Sequence, residues 1–384
     1  MYVGPTGSEP KLQNTTWSIR LTIRAVQWAT GAVGRAALRE LIENPDFGLV
    51  GVLVYDPAKV GLDAGALCGL PPTTGVTATA DKDAIIALGA DVVVHAASKA
   101  HDVETNAEDI CRLLATGTNV VTTTSYNHLP TYGALVESAF VAACQEGATR
   151  FHAAGENPGF MLERLVATLT GLSKSIDRID LYEATDVSAV QSRPMLIDLM
   201  GMGRPPADVT VDSPIIKKLD TAYRQALNAT ADVLGIALSH IDVSVDATTL
   251  PHDLEVQAGT IEAGTVVGQR FSWTGYWSGR PLLAIHEEWV LTRDLPQWGL
   301  RPLASGEKAP LIRAVIKGMP SFELQLDVGF DGQLPTGQHA MPGHLMIAMS
   351  AVRAIPYMLG RPPGIVTAPV FGAIQLAGSD TDRA

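Results

Sequence analysis

At 384 residues the chain is long enough for two domains with cores of their own. Its 46% hydrophobic and 18% charged residues exclude a disordered or low-complexity polymer. A net charge of −12 is a poor balance for the basic face that a phosphate backbone needs, which argues against a nucleic-acid partner, and no apolar run approaches the ~20 residues of a membrane span.

Cys68, Cys111 and Cys144 show no C-x-x-C spacing, so they indicate neither a disulfide framework nor a cysteine metal site and fit a reduced, cytoplasmic setting. Residues 1–21 are polar and read as a loose extension. From there to residue 155 strand-like and helix-like segments alternate, the sign of a parallel sheet with helices on both faces.

The first apolar strand, from Ile23, runs into Ala29-Thr30-Gly31-Ala32-Val33-Gly34 and then into alanine- and leucine-rich helical sequence. That order is the one a dinucleotide-binding turn requires. Amides at a helix start and its positive end favour a diphosphate, provided no side chain intrudes. Gly31 and Gly34 supply the access and the close helix–strand packing, with Thr30, Ala32 and Val33 completing the amide cradle. The pattern is A-x-G-x-x-G, with Ala29 in place of the first glycine.

A second apolar run ends at Asp56, 22 residues after Gly34, near the separation expected of a carboxylate that holds the adenosine ribose. The alternative for Asp56 is a cap on the next loop. Asp56 repels a 2′-phosphate and favours NAD, whereas Lys59 offsets that repulsion and admits NADP. The cofactor expected is therefore NAD(P)H.

A fourth strand ends in His95-Ala96-Ala97-Ser98, whose small residues open toward a ligand, with His95 read as a shielded strand-end histidine. The fifth discharges into Ser125-Tyr126-Asn127-His128, where Tyr126 or His128 offers a proton and Asn127 orients a carbonyl or imine. Capping of backbone groups by Ser125 and Asn127 is the structural alternative. Gly155-Glu156-Asn157-Pro158-Gly159-Phe160 then forms a fixed turn at the crossing between domains.

The second half begins with a strand over 175–186, followed by a flexible cover at Met200–Pro206 and a helix over 215–234. Strands follow over 255–261, 265–276 and 281–291, with Trp273, Trp277 and Trp289 assigned to core or subunit contact. A helix over 345–359 is expected to kink at Pro356. His339 and His344, five apart around Pro342-Gly343, cannot share one helix face, and no metal is predicted.

WATGAVG, VYDPAKVG, DVVVHAAS, GENPGF and AVRAIPYMLGRPPGI occur in the order seen in the 2,4-diaminopentanoate dehydrogenase-like group. That group includes the native amine dehydrogenases and proteins labelled as having a dihydrodipicolinate reductase N-terminal domain. The chain resembles it from Ile23 to Ile365. The resemblance implies an α/β fold: an N-terminal Rossmann domain (22–155), a C-terminal α/β domain with an open mixed or antiparallel sheet (156–335), and a last segment (336–384) whose helix packs back on the first domain. It further implies NAD(P)-dependent interconversion of an amine with an imine or ketone, in a homodimer. By position, Asn157 and Pro158 approach the nicotinamide, and Ala96, Ala97 and Ser98 its ribose.

The chain departs from the group after the fifth strand. A Cys-Glu-Glu-Leu run there is replaced by Thr124-Ser125-Tyr126-Asn127, which removes the glutamate that handles ammonia. Glu156 is a substitute from another direction, although a solvent-facing hinge glutamate is the simpler expectation. The histidine pair and lysine of authentic dihydrodipicolinate reductases are absent. The function expected is hydride transfer between nicotinamide and a C=N or C=O carbon of a small molecule, the alternatives being a ketone reductase or a non-catalytic NAD(P)H sensor.

Overall fold

The computed structural model describes residues 22–97, 103–295, 298, 311–329 and 341–376. The first sheet takes β1 (Ile23–Trp28), β2 (Phe47–Leu53), β3 (Ala78–Thr79), β4 (Val92–His95), β5 (Asn119–Thr122) and β6 (Arg150–Ala153), all parallel, in the order β6-β5-β4-β1-β2-β3. Its connections carry α1 (Ala32–Glu43), α2 (Ala64–Leu67), α3 (Lys82–Ile86), α4 (Val103–Ala115) and α5 (Ala134–Glu146). Both faces are covered, so β4 is buried at every position. Val92 and Val94 pack toward α1 with Ala37 and Leu41, while Val93 packs on the opposite side with Ile110, Leu113 and Phe140.

The second sheet contains β7 (Ser175–Asp186), β8 (His240–Thr249), β11 (Val266–Trp277), β12 (Arg280–Val290), β13 (Leu311–Met319) and β14 (Phe322–Asp327), in the order β14-β13-β7-β12-β11-β8. Between β8 and β11 lies a separate hairpin of β9 (Leu254–Val256) and β10 (Gly259–Ile261). In the main sheet β7 and β12 run parallel and the other neighbours antiparallel. One face is covered by a π-helical turn (Met161–Val166), α6 (Ala167–Thr170) and α7 (Pro214–Val233), over a core that includes Ile179, Leu181, Phe271, Trp273 and Ile285.

The strand expected over 255–261 is this hairpin, because Gly259 turns the chain at φ +106°. The Met200–Pro206 bend, expected as a flexible cover, is instead anchored in the core by its two methionines, with Pro205 and Pro206 exposed. Met202 is fully buried among Leu196, Val266 and Val267, the Gly203 amide donates to the Val266 carbonyl at 2.8 Å, and Gln269 Nε2 donates to the Met200 carbonyl at 2.9 Å. Trp273 is wholly enclosed in the core.

The chain then returns. α8 (Pro342–Leu359) lies against α1 and buries Ala348, Ala351, Val352 and Ile355 on the first sheet, with Pro356 in its final turn. β15 (Gly364–Ile365) pairs in parallel with β6 as the seventh strand. His344 sits in the first turn of α8, and His339 lies outside the described residues. Among the described residues no group of three metal-ligating side chains converges, and no helix is long and apolar enough to cross a membrane.

Candidate active site between the two sheets

At the carboxyl end of β1 the backbone makes the site. Ala29 takes φ +72°, and its carbonyl accepts from Gln27 Nε2 at 2.8 Å. A Cβ on Gly34 would stand 2.2 Å from that carbonyl oxygen, so only glycine lets α1 start this close to the strand. A Cβ on Gly31 would meet nothing within 4 Å: the space in front of it is open. The α1 N-terminus carries no side-chain cap and no acid in its first turn, which leaves its amides to an anion. This cradle, with Thr30, Ala32 and Val33, fits a diphosphate.

Lys59 Nζ donates to the Thr30 carbonyl at 3.1 Å and lies within 3.3 Å of its hydroxyl, directly over the cradle. Asp56 is exposed at the end of β2, and its Oδ1 accepts from the Ala58 amide at 2.9 Å, so it caps the following turn from the place where a ribose would lie. Ala96 and Ala97 follow β4, with Ala97 buried; Ser98 lies outside the described residues. His95 is fully buried beside Thr122 and Thr124, and burial followed by the Lys82 charge pulls its pKa down to about 3, so it is a neutral structural group.

The second part of the site is made of side chains. Because β7 and β12 are parallel neighbours in register, Glu183 stands directly beside Glu287 on the face that holds Leu181 and Ile285. Tyr223 of α7 donates its hydroxyl to Glu287 Oε2 at 2.5 Å, and Trp289 Nε1 donates to Oε1 at 2.6 Å. Asn157 Nδ2 donates to Glu183 Oε2 at 3.2 Å.

Glu156, expected to face solvent, does not. Its Oε1 is buried without a hydrogen-bond partner. Burial, then the charges of Glu183, Glu287 and Glu163, push its carboxyl well above the usual range. Glu287 is driven up in the same way by burial and then by Glu183, and Glu183 is raised by burial against the pull of Asn157. The turn itself imposes this. The Glu156 carbonyl accepts from the amides of Phe160 and Met161, which folds residues 155–161 over the sheet and points Glu156 inward.

Two cavities meet this turn. The larger, about 620 Å³, holds Glu156 against an apolar wall that includes Phe160, Met161, Leu326, Met346 and Met349. The smaller, about 310 Å³, is lined by Tyr126, Asn127, His128, Glu163 and Asp232 among others. His152, Arg164, Val366 and Ala368 border both.

The polar loop after β5 thus opens on the smaller cavity and is bolted to α7. Gln225 accepts from the His128 amide at 3.0 Å and donates to the Ser125 carbonyl at 2.8 Å. His128 Nδ1 meets Thr131 Oγ1 at 2.7 Å and its Nε2 meets Asp232 Oδ2 at 3.1 Å. The Tyr126 ring is buried, 5.3 Å from both Tyr132 and Phe140 between ring centres. Asn127 Nδ2 donates to the Ala153 carbonyl at 3.3 Å.

Sequence reading missed Glu183, Glu287, Tyr223 and Glu163. A signal existed for the first two. In the alternation Ile179, Leu181, Glu183 and Leu283, Ile285, Glu287, an acid stands at each place where the register calls for an apolar residue.

No protein-family model matches the chain. An amine dehydrogenase from Streptomyces virginiae is 30% identical over 351 residues, covering 90% of this chain and 95% of the relative. The chain belongs to the amine dehydrogenase family. Among solved structures, the amine dehydrogenase from Mycobacterium smegmatis superposes with a TM-score of 0.64 at 19% identity, over 90% of this chain and 94% of the other. A Thermotoga maritima protein described as a probable dehydrogenase gives 0.54 at 12% identity, over 89% and 91%, and shares the two-domain fold. Family membership together with the diphosphate cradle assigns the chain to the NAD(P)-dependent oxidoreductases.

Proposed function

We propose that the protein interconverts an amine with its ketone by hydride transfer at a C=N carbon. The observation that carries this is the trio Glu156, Glu183 and Glu287: all raised in proton affinity by burial, Glu156 raised further by the charges of the other two and Glu287 by that of Glu183, and, among the described residues, paired with no lysine, arginine or histidine. Carboxylates held without a counter-ion cost free energy, and a cationic iminium or ammonium entering the larger cavity, where Glu156 of the trio forms part of the lining, recovers some of it. The trio takes the place of the glutamate missing after β5.

A reduced nicotinamide, bound with its diphosphate on residues 30–34, its adenosine ribose near Asp56 and Lys59 and its other ribose near Ala96 and Ala97, supplies the hydride. Asn157 and Pro158 face the ring, and Asn157 holds Glu183 in place through its amide. Glu156 moves the proton: it borders the larger cavity and has an oxygen without a partner, whereas the Tyr126 ring is wedged between Tyr132 and Phe140. Asn127 and His128 fix the loop that closes the smaller cavity. The same reading carries a homodimer, to be seen as the mass of two chains in sedimentation.

The test is reduction of a ketone panel with NADH or NADPH, with and without ammonium chloride. Amine is expected only with ammonium, and Glu156→Gln is expected to lower kcat about 100-fold, the scale of one lost electrostatic group, while nicotinamide binding by fluorescence is unchanged. Alcohol formed equally with and without ammonium would assign the site to carbonyl reduction.

A further inference from the structure

Reductive amination needs two substrates at one carbon, and the structure provides two cavities on either side of one turn. The larger is apolar and suits the hydrocarbon body of a ketone. The smaller has a different chemistry. Its rim includes Asp232, Ile365 and Thr367, all exposed, and its floor holds Phe151 and Glu163, both buried.

Glu163 is 6% exposed. Its Oε1 accepts from the Gly159 amide at 2.9 Å, and its Oε2 is buried with no partner, an unfilled acceptor in a chamber whose lining also includes Asn127, His128 and Asp232. The residue sits in the π-helical turn Met161–Val166, an uncommon arrangement concentrated at functional positions. Glu156 and Glu163 stand seven residues apart, on the interdomain turn and the π-helical turn that follows it, one bordering each cavity, and Glu156 senses the charge of Glu163. Arg164 in the common wall has its guanidinium engaged over the Phe160 ring at 4.9 Å, and His152 gives its Nδ1 hydrogen to the Val366 carbonyl at 2.7 Å.

We infer that the smaller cavity is the entry site for ammonium, with Glu163 the group that receives it and strips its proton before ammonia passes to the ketone. This rests on the amine chemistry proposed above and adds a separate route for nitrogen. The step balances: the Glu163 carboxylate and NH4⁺ become the carboxylic acid and NH3. Ammonia then forms the C–N bond as the carbonyl oxygen leaves as water, and the proton held on Glu163 is returned to the imine nitrogen as the hydride reaches carbon, which regenerates the carboxylate. The sum is ketone, NH4⁺ and NADH giving neutral amine, NAD⁺ and water. Burial followed by its own turn's amides sets the Glu163 pKa at about 7, so the group gives and takes protons near neutrality.

The test has two arms on the full chain. In the kinetic arm, Glu163→Gln is expected to raise the KM for ammonium chloride tenfold or more while the KM values for ketone and NADH stay within twofold. Ala229→Leu, which narrows the same cavity from α7 without altering a charge, is expected to raise the ammonium KM as well. Equal movement of all three KM values, or an unchanged ammonium KM in both variants, would overturn the assignment.

The binding arm needs no turnover. With NADH present, ammonium chloride is expected to raise the Tm of the unmodified protein above that in sodium chloride or tetramethylammonium chloride of equal ionic strength, and to lose this advantage in Glu163→Gln. An ammonium advantage that survives in the variant would refute the site. An advantage lost in the variant while no ketone yields amine would uphold it and remove the proposed reaction instead.

Discussion

The two halves of the active site are made by opposite means. The diphosphate cradle is backbone: amides, one carbonyl, and two positions where a side chain must be missing, all within six consecutive residues. The carboxylate chamber is side chain: Glu156 from the interdomain turn, Glu183 from β7, Glu287 from β12 and Tyr223 from α7. The cradle gains by omission and costs the fold little, whereas the chamber collects like charges in a dry place and the rest of the core must tolerate the expense. Binding sites of the first kind tolerate almost no added bulk at their glycines; those of the second kind tolerate change that relieves the fold and harms only the chemistry.

The sharpest break of that contrast lies at the two glycines. Gly34→Ala is expected to disturb both fold and cofactor, because its Cβ would meet the Ala29 carbonyl at 2.2 Å. A loss of several kcal/mol in urea unfolding and of NADH binding is expected, on the scale of overpacking. Gly31→Ala has room for its Cβ, so stability should move by less than about 1 kcal/mol while NADH affinity falls at least tenfold, the methyl group now occupying the space of the diphosphate. Equal effects of the two on unfolding would mean that the open space at Gly31 is not a ligand site.

Next in size is the pH dependence of stability. The Glu163 carboxyl is raised from about 4.5 to about 7 by folding, so the folded chain binds its proton more tightly than the unfolded chain does. Unfolding free energy contributed by this group is fully present below pH 4.5 and is lost as pH rises to 7, by up to about 3 kcal/mol. Glu163→Gln should therefore gain on the unmodified protein as pH rises from 5 to 7.5, followed by urea melts at each pH. A constant difference across that range would show the carboxyl to be solvated.

The smallest effect is expected at Ala29. With φ +72° it occupies a region that costs an L-residue about 1–2 kcal/mol, in a place where the dinucleotide pattern carries glycine. Ala29→Gly should raise stability by ~1 kcal/mol, less what the added freedom of the unfolded chain removes, with NADH affinity unchanged.

Legibility in the sequence followed the same division. The cradle was readable because six adjacent residues state it and because buried parallel strands carry unbroken apolar runs such as Val92, Val93 and Val94. The chamber was not, since adjacency between Glu183 and Glu287 depends on a parallel pairing of strands a hundred residues apart, which no local pattern encodes. Glu156 was visible as a residue, but its direction depends on backbone bonds from Phe160 and Met161. The strand β8 was overlooked although residues 240–247 alternate between exposed and partly buried positions, as an edge strand should. The Met200–Pro206 bend was misjudged because glycine and proline outweighed two buried methionines.

The seventh strand of the first sheet has a bearing on biogenesis. Residues 342–365 provide α8 and β15, and the Arg150 side chain, at 2.5 Å from the Arg361 carbonyl, ties β6 to that returning segment. The nucleotide-binding half is thus discontinuous, with the mixed-sheet half inserted into it. During synthesis the side of β5 and β6 that α8 covers stays open until some two hundred further residues have left the ribosome. A C-terminal truncation before residue 342 would strip the lid from a fold begun at residue 22, and splitting the gene at the interdomain turn would yield no independent nucleotide-binding fragment.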